Sequence, residues 1–379
     1  MEHLPEVLKL IEGGLQRDAA KVDRYAEFLA SKLDSENDPT SSKLIRDVVR
    51  KIGTSSLRSA KVGPRPGLPV DNESRLALAV TSRPLLDEAP LVLPPDARAI
   101  LDDFVQAWER RSELLKLGIT KPGHLLMFGP PGCGKSQTAR FLAARIDRPL
   151  VTARLDALVS SLLGNTAKNL RALFDFVDQL PCVLFLDEFD AVAKKRDDAH
   201  EMGELKRVVN SLLQNIDLLS SDVVVVAATN HPHLLDPAVW RRFEFQMEVS
   251  LPGIAERETI LGMYLPGPVP PQTLRVLAAL TDGLTPADIE LLGSAISRER
   301  AFAPEQTATL ASTFASLLTV GRRRRLGVLT EYPVDTSERI RWLRARDPKV
   351  FTYDVVAEIL GISKGKISNV LNKEKSRGG

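Results

Sequence analysis

Gly129-Pro130-Pro131-Gly132-Cys133-Gly134-Lys135-Ser136 fits G-x-x-x-x-G-K-[ST], the pattern of a phosphate-binding loop. Before it, Leu125-Leu126-Met127-Phe128 reads as a short buried strand. After it, residues 137–146 are rich in Ala, Leu and Arg and read as a helix. The pattern requires that strand–loop–helix context. Its glycines let backbone N–H groups turn inward, and the following helix offers its positive end to phosphate. In such a loop Lys135 reaches the β- and γ-phosphates and the Ser136 hydroxyl ligates magnesium. A Gly-Pro-rich turn with a chance lysine would not explain Gly134-Lys135-Ser136 between flanks of the right type. The chain is expected to bind a nucleoside triphosphate.

About fifty residues further on, the apolar strand Val183-Leu184-Phe185-Leu186 ends in Asp187-Glu188. Ionised groups at the end of a buried strand need partners, and magnesium on a triphosphate is one. Asp187 is the candidate for holding the metal, directly or through water. Glu188 is the candidate base that orients and polarises the attacking water. A further apolar strand from Val223 ends in Ala228-Thr229-Asn230. Asn230 suits a hydrogen bond to the γ-phosphate or to the lytic water; a turn-forming Asn before His231-Pro232 reads equally well. Arg241-Arg242, after Trp240, is either a solvated pair or a guanidinium placed for developing γ-phosphate charge.

With Leu150-Val151-Thr152 and Phe245-Gln246-Met247-Glu248-Val249, these strands alternate with helical text. Near-continuous apolar runs of this kind argue for a parallel sheet covered on both faces, an α/β architecture. From Leu85 to Pro95 the chain reads as extended, and Asp96 as the cap of a helix carrying Ile100, Leu101, Phe104, Val105 and Trp108. Residues 1–53 read as about three short helices, with Leu4, Val7, Leu8 and Ile11, then Val22, Tyr25, Ala26 and Leu29, then Leu44, Ile45, Val48, Val49 and Ile52 sharing faces. Residues 54–84, rich in Gly, Pro, Ser and basic side chains, read as a linker. Residues 85–253 form the α/β core, 254–320 a small helical lid, and 321–379 a separate basic domain.

That last segment holds 14 Lys and Arg against 7 Asp and Glu, a net +7 within a chain of +2, so the remainder carries −5. A basic tail on an acidic body points to an anionic partner for the tail alone. Val355-Val356-Ala357-Glu358-Ile359-Leu360, then Gly361-Ile362-Ser363, then residues 364–371 read as helix, tight turn, helix. The second helix presents Ser363, Lys364, Lys366, Ser368 and Asn369 to phosphates and base edges of duplex DNA; a three-helix shape used for protein contact is the alternative. Two cysteines, Cys133 and Cys182, imply no disulfide framework and a reducing, cytoplasmic setting. No window nears about 18 uninterrupted apolar residues, and no basic-then-apolar leader opens the chain, so neither a membrane span nor a secretory signal is expected.

The ordered set GPPGCGKS, VLFLDEFD, VVVVAATN and LDPAVWRRFE resembles the AAA+ ATPase module, in its AAA subgroup, over about residues 85–300. The resemblance implies a sheet of order 5-1-4-3-2, a helical lid, MgATP hydrolysis, and a ring, commonly a homo-hexamer, that remodels a macromolecule. By position it implies a nucleotide-binding set of Gly129, Pro130, Pro131, Gly132, Cys133, Gly134, Lys135, Ser136 and Gln137 with Asp187. Ser136 and Asp187 then hold the metal. Lys135, Glu188, the sensor Asn230 and the arginine fingers Arg241 and Arg242 serve catalysis, the arginines in a neighbouring subunit's site. Four departures stand out. Cys133 and Ser136 occupy positions usual for Thr, and Arg241 abuts Arg242 where two residues normally intervene, leaving open which is the finger. Leu162, in Ser161-Leu162-Leu163-Gly164, replaces the usual aromatic pore residue. Pro286, in Gly283-Leu284-Thr285-Pro286-Ala287-Asp288, replaces a Gly of the lid. The arrangement also resembles bacterial AAA ATPases found with subtilisin-like proteases in phage defence.

Overall fold

The computed structural model describes residues 19–35, 38, 41–43, 46, 68–70, 77–88, 90–119, 123–155, 163–193, 202–302 and 309–375. The chain divides into two compact units, Met1–Gly67 and Leu68–Gly379. In the first, helix α1 (Ala19–Ser35) buries Ala26 and Leu29 of the expected stripe, with Ala30 beside them, and half-buries Tyr25. The two other helical stretches expected there, and the pore-loop residues Ser161 and Leu162, lie outside the described residues.

The second unit is built on a six-stranded sheet of order β1-β3-β4-β5-β2-β6. The strands are β1 (Ala79–Ser82), β2 (Leu125–Phe128), β3 (Leu150–Ala153), β4 (Val183–Leu186), β5 (Val224–Thr229) and β6 (Phe245–Glu248). The five strands β2 to β6 run parallel and, numbered among themselves from β2, follow the expected order 5-1-4-3-2. β1 adds an antiparallel edge, pairing Val80 with Thr152, and it falls inside the stretch that reads as linker. Residues 85–95 are likewise not uniformly extended, since Leu86–Glu88 forms a turn of tight helix.

Central β4 and β5 are buried along their whole length, whereas edge strand β6 buries Met247 and exposes Gln246 and Glu248. Period-two alternation sends successive residues to opposite faces. Leu184, Leu186, Val225 and Ala227 join a core roofed by α4 (Leu163–Asp178) and α5 (Met202–Leu218). Val183, Phe185, Val224 and Val226 join a second core under α2 (Pro95–Glu109) and α3 (Lys135–Arg145). Pro94, with Pro95 after it, caps α2; Asp96 sits in the first turn and makes no cap hydrogen bond.

Beyond the sheet come α6 (Ile254–Tyr264), α7 (Pro271–Leu280), α8 (Pro286–Phe302), α9 (Leu310–Arg324), α10 (Thr336–Arg346), α11 (Tyr353–Leu360) and α12 (Lys364–Lys375). One apolar core runs through them, from Ile260 and Val276 through Phe314 and Leu317 to Phe351, Val356 and Ile367. The expected boundary at residue 321 therefore falls inside a helix. Gly321 is buried in α9, and a Cβ there would lie 2.4 Å from Leu329 Cδ1. The glycine lets the tight turn Gly327–Glu331 close against the helix and so joins the lid to the C-terminal helices. Among the described residues no helix is long and apolar enough to cross a membrane.

Candidate functional site

The cleft at the carboxyl ends of the parallel strands has a volume of about 600 Å³. The loop of residues 129–136 forms its floor, between β2 and α3. Gly129 has φ +147°, and a Cβ on it would lie 2.2 Å from the Val249 carbonyl oxygen at the end of β6, so no other residue fits. At Gly132, φ +76°, a Cβ would meet Thr285 Oγ1 at 2.9 Å. The lid presses on the loop here, and Ala287 N–H donates to the Gly132 carbonyl at 3.2 Å. Gly134, φ +100°, is the left-handed cap from which α3 starts. The N–H groups of Gly132, Cys133 and Gly134 find no acceptor among the described residues, a cradle of donors open to an anion.

Lys135 is 7% exposed, and its Nζ donates to the Gly129 carbonyl at 2.8 Å and the Pro130 carbonyl at 2.9 Å. Burial holds this ammonium below the usual lysine value, with Cys133, Asp187 and Asp190 opposing the shift. Among the described residues its hydrogen bonds go to neutral carbonyls, so an incoming phosphate stabilises this buried cation. Ser136 Oγ donates to Asp187 Oδ2 at 2.9 Å, so a hydroxyl and a carboxylate meet across fifty residues of chain as a hard-oxygen pair suited to magnesium. The other Asp187 oxygen accepts from Glu188 N–H at 3.0 Å. Glu188 is exposed in the left-handed region, φ +50°, a conformation costly for a non-glycine residue. It lines the cleft with Asn230, Ser136 and Gln137, whose amide donates to the Pro90 carbonyl at 3.2 Å.

What fixes the strained turn after β4 was not read from the sequence. Phe189 N–H donates to the Ala228 carbonyl at 2.8 Å, and Thr229 Oγ1 donates to Asp190 Oδ1 at 2.6 Å. Thr229 Oγ1 also accepts from His231 N–H at 2.9 Å, so one hydroxyl ties the turn carrying Glu188 to the strand end carrying Asn230. The third carboxylate of Leu186-Asp187-Glu188-Phe189-Asp190 was the available signal. The lid wall, including Tyr264 and Glu290, was also missed. Burial raises the Tyr264 phenol, and the Glu290 carboxylate adds to the shift.

Arg241 and Arg242 do not line this cleft. Both are exposed, after the short helix Pro237–Trp240. Their environments differ. Arg242 Nε donates to Asp217 Oδ2 at 2.9 Å, while the Arg241 side chain has no partner among the described residues. Both cysteines are free and buried; burial raises the Cys133 thiol and pushes that of Cys182 up to about 12.

The model of the AAA family, ATPases associated with various cellular activities, matches residues 125–251. An AAA family ATPase of Sinorhizobium fredii, y4kL, is 36% identical over 225 residues, which are 59% of this chain and 68% of that protein. The ATP-dependent zinc metalloprotease FtsH of Thermus thermophilus is 33% identical over 250 residues, 62% of this chain and 39% of the protease. The proteasome-activating nucleotidase of Thermococcus onnurineus is 35% identical over 189 residues, 47% of this chain and 46% of the nucleotidase. The chain thus spans about two thirds of the first relative and less than half of the other two.

Proposed function

This chain belongs to the AAA family of ATPases, and from that premise we propose that it works as a homo-oligomeric ring, a hexamer, in which MgATP hydrolysis remodels a macromolecular partner. The observation that carries the reading is the meeting of Lys135, Ser136, Asp187, Glu188 and Asn230 in one cleft under a lid. The N–H groups of the loop and Lys135 bind the β- and γ-phosphates. When bound, magnesium neutralises charge on those phosphates; Ser136 and Asp187 are the residues that would hold it. Glu188 accepts the proton of the attacking water, and Asn230 orients that water against the γ-phosphate. Arg241, without a partner among the described residues and outside its own cleft, is the finger for the neighbour's γ-phosphate, while Arg242 stays tied to Asp217.

A polypeptide is the favoured partner, since one relative is named a protease and another for activating the proteasome. A subtilisin-like protease is the companion that the resemblance to bacterial AAA ATPases of phage defence implies. A cytoplasmic setting accords with two buried unpaired thiols. The second reading is a regulatory or defence ATPase in which ATP drives assembly on duplex DNA. It is favoured by the three-residue turn between α11 and α12, where Gly361 is left-handed at φ +65°.

Mixing two inactive variants tests the ring. Glu188→Gln subunits supply Arg241, and Arg241→Ala subunits supply Glu188, so mixed rings regain hydrolysis that neither variant shows alone. Light scattering on the same samples reports assembly. Wild-type turnover at an unchanged rate by a monomer would sink the reading.

A further inference from the structure

We propose that the face of α12 bearing Gly365, Lys366 and Asn369 docks on duplex DNA, and that, because α12 shares its core with the nucleotide lid, DNA and nucleotide are linked ligands of one body. The nucleotide half rests on the ATPase reading above; the docking half does not. On α12, Ile367 is fully buried, with Val370 and Leu371 packed beside it. Residues 365, 366, 369 and 372 lie outward at one-turn spacing. Neither the Lys366 ammonium nor the Asn369 amide has a partner among the described residues, whereas Lys364 is engaged by Asp354. No carboxylate occurs from Ser363 to Asn372, and the segment from residue 321 carries the net +7. Lysine and asparagine one turn apart suit a phosphate and an adenine edge.

Gly365 is the second observation. It lies in the first turn of α12, where a Cβ would meet nothing within 4 Å, so nothing among the described residues requires a glycine. Glycine weakens a helix relative to alanine, and where no internal contact demands it, close approach of another backbone gives a reason for it. The turn leading in is fixed, since Gly361 is left-handed and Ile362 N–H donates to the Ala357 carbonyl at 3.1 Å.

Linkage follows from the core. Val355, Val356 and Ile367 of α11 and α12 pack in one cluster with Phe314 and Leu317 of α9 and with Ile260 and Val276 of the lid. At the other end of that body Ala287 holds the Gly132 carbonyl, and Tyr264 and Glu290 wall the cleft. A close-packed interior transmits displacement rather than absorbing it. A nucleotide that shifts the lid therefore shifts α12, and by thermodynamic reciprocity duplex bound at α12 changes nucleotide affinity by the same factor.

The test is anisotropy titration of a labelled mixed-sequence duplex with full-length protein, at low and high salt, with and without ADP, alongside nucleotide binding and ATPase rate on the same preparation. Duplex affinity is expected to fall with salt and to exceed single-strand affinity. Lys366→Glu with Asn369→Ala should lower it by about tenfold or more while leaving DNA-free ATPase unchanged. Gly365→Ala should raise Tm yet weaken duplex binding, a combination that a purely structural glycine does not give. ADP should change duplex affinity by about fivefold or more, with the reciprocal change in ADP affinity. Absent duplex binding, equal single-strand binding, or undiminished binding by Gly365→Ala overturns the docking face; unchanged affinities with ADP overturn the linkage. Protein that holds ADP but no duplex leaves the ATPase reading standing, whereas protein that holds no nucleotide defeats that reading instead.

Discussion

In the sheet, neighbouring residues of a strand part company: Val183 and Phe185 enter one core, Leu184 and Leu186 the other. In the helices that follow, residues a hundred positions apart converge, with Ile260 and Ile367 in a single cluster. A strand buried on both faces must be apolar throughout, and its exposed end is then a fixed platform for polar groups. A helix buries only a stripe, so several must share a centre, and the shared centre makes them one mechanical piece. The sheet thus presents the polar groups, and the helical body meets it at the contact between Gly132 and Ala287.

Chemistry confined to the platform gives the largest expected effect. Glu188→Gln keeps the shape of the turn but removes the proposed base, and should cut turnover by about 10²–10⁴ while ATP is still retained. Single-turnover hydrolysis with radiolabelled ATP checks it; wild-type turnover in the variant would place the base elsewhere.

The next effect strikes the helical side. Phe351 is fully buried between α10 and α11 in chain order, and Phe351→Ala should cost about 3–5 kcal/mol. With one core, hydrogen exchange should then rise in α6 to α9 as well as in α10 to α12. A rise confined to residues 336–375 would divide that core in two and restore a boundary near residue 321.

The sheet was the more legible side. β2, β4 and β5 stand out as apolar runs, and the candidate residues 129–136, 187, 188 and 230 lie where those runs stop. β1 does not, because only Ala79 of its four residues is buried and the other three carry no signal. The boundary expected at residue 321 follows the rise in basic charge, which marks composition and not packing; the contact of Gly321 with Leu329 inside α9 carries no such mark in the sequence. The different surroundings of Arg241 and Arg242 were not legible because they depend on a distant residue. The partner that separates them, Asp217, lies 25 residues away on α5.

The smallest effect tests how still the platform is. Thr229 Oγ1 bridges Asp190 and the His231 amide, and so couples the turn bearing Glu188 to the strand end bearing Asn230. Thr229→Val keeps the volume, leaves both partners unsatisfied, and should cost about 1–1.5 kcal/mol, which as lost alignment is about tenfold in kcat. Because neither Lys135 nor the glycines of the loop touch this hydroxyl, KM for ATP should stay unchanged, and Thr229→Ser should restore most of the rate. A loss of thermal stability with kcat intact would mean that the bridge only holds the sheet end together. A loss of kcat at unchanged KM, recovered by the serine, would mean that the strain at Glu188 is held there by Asp190 and Thr229.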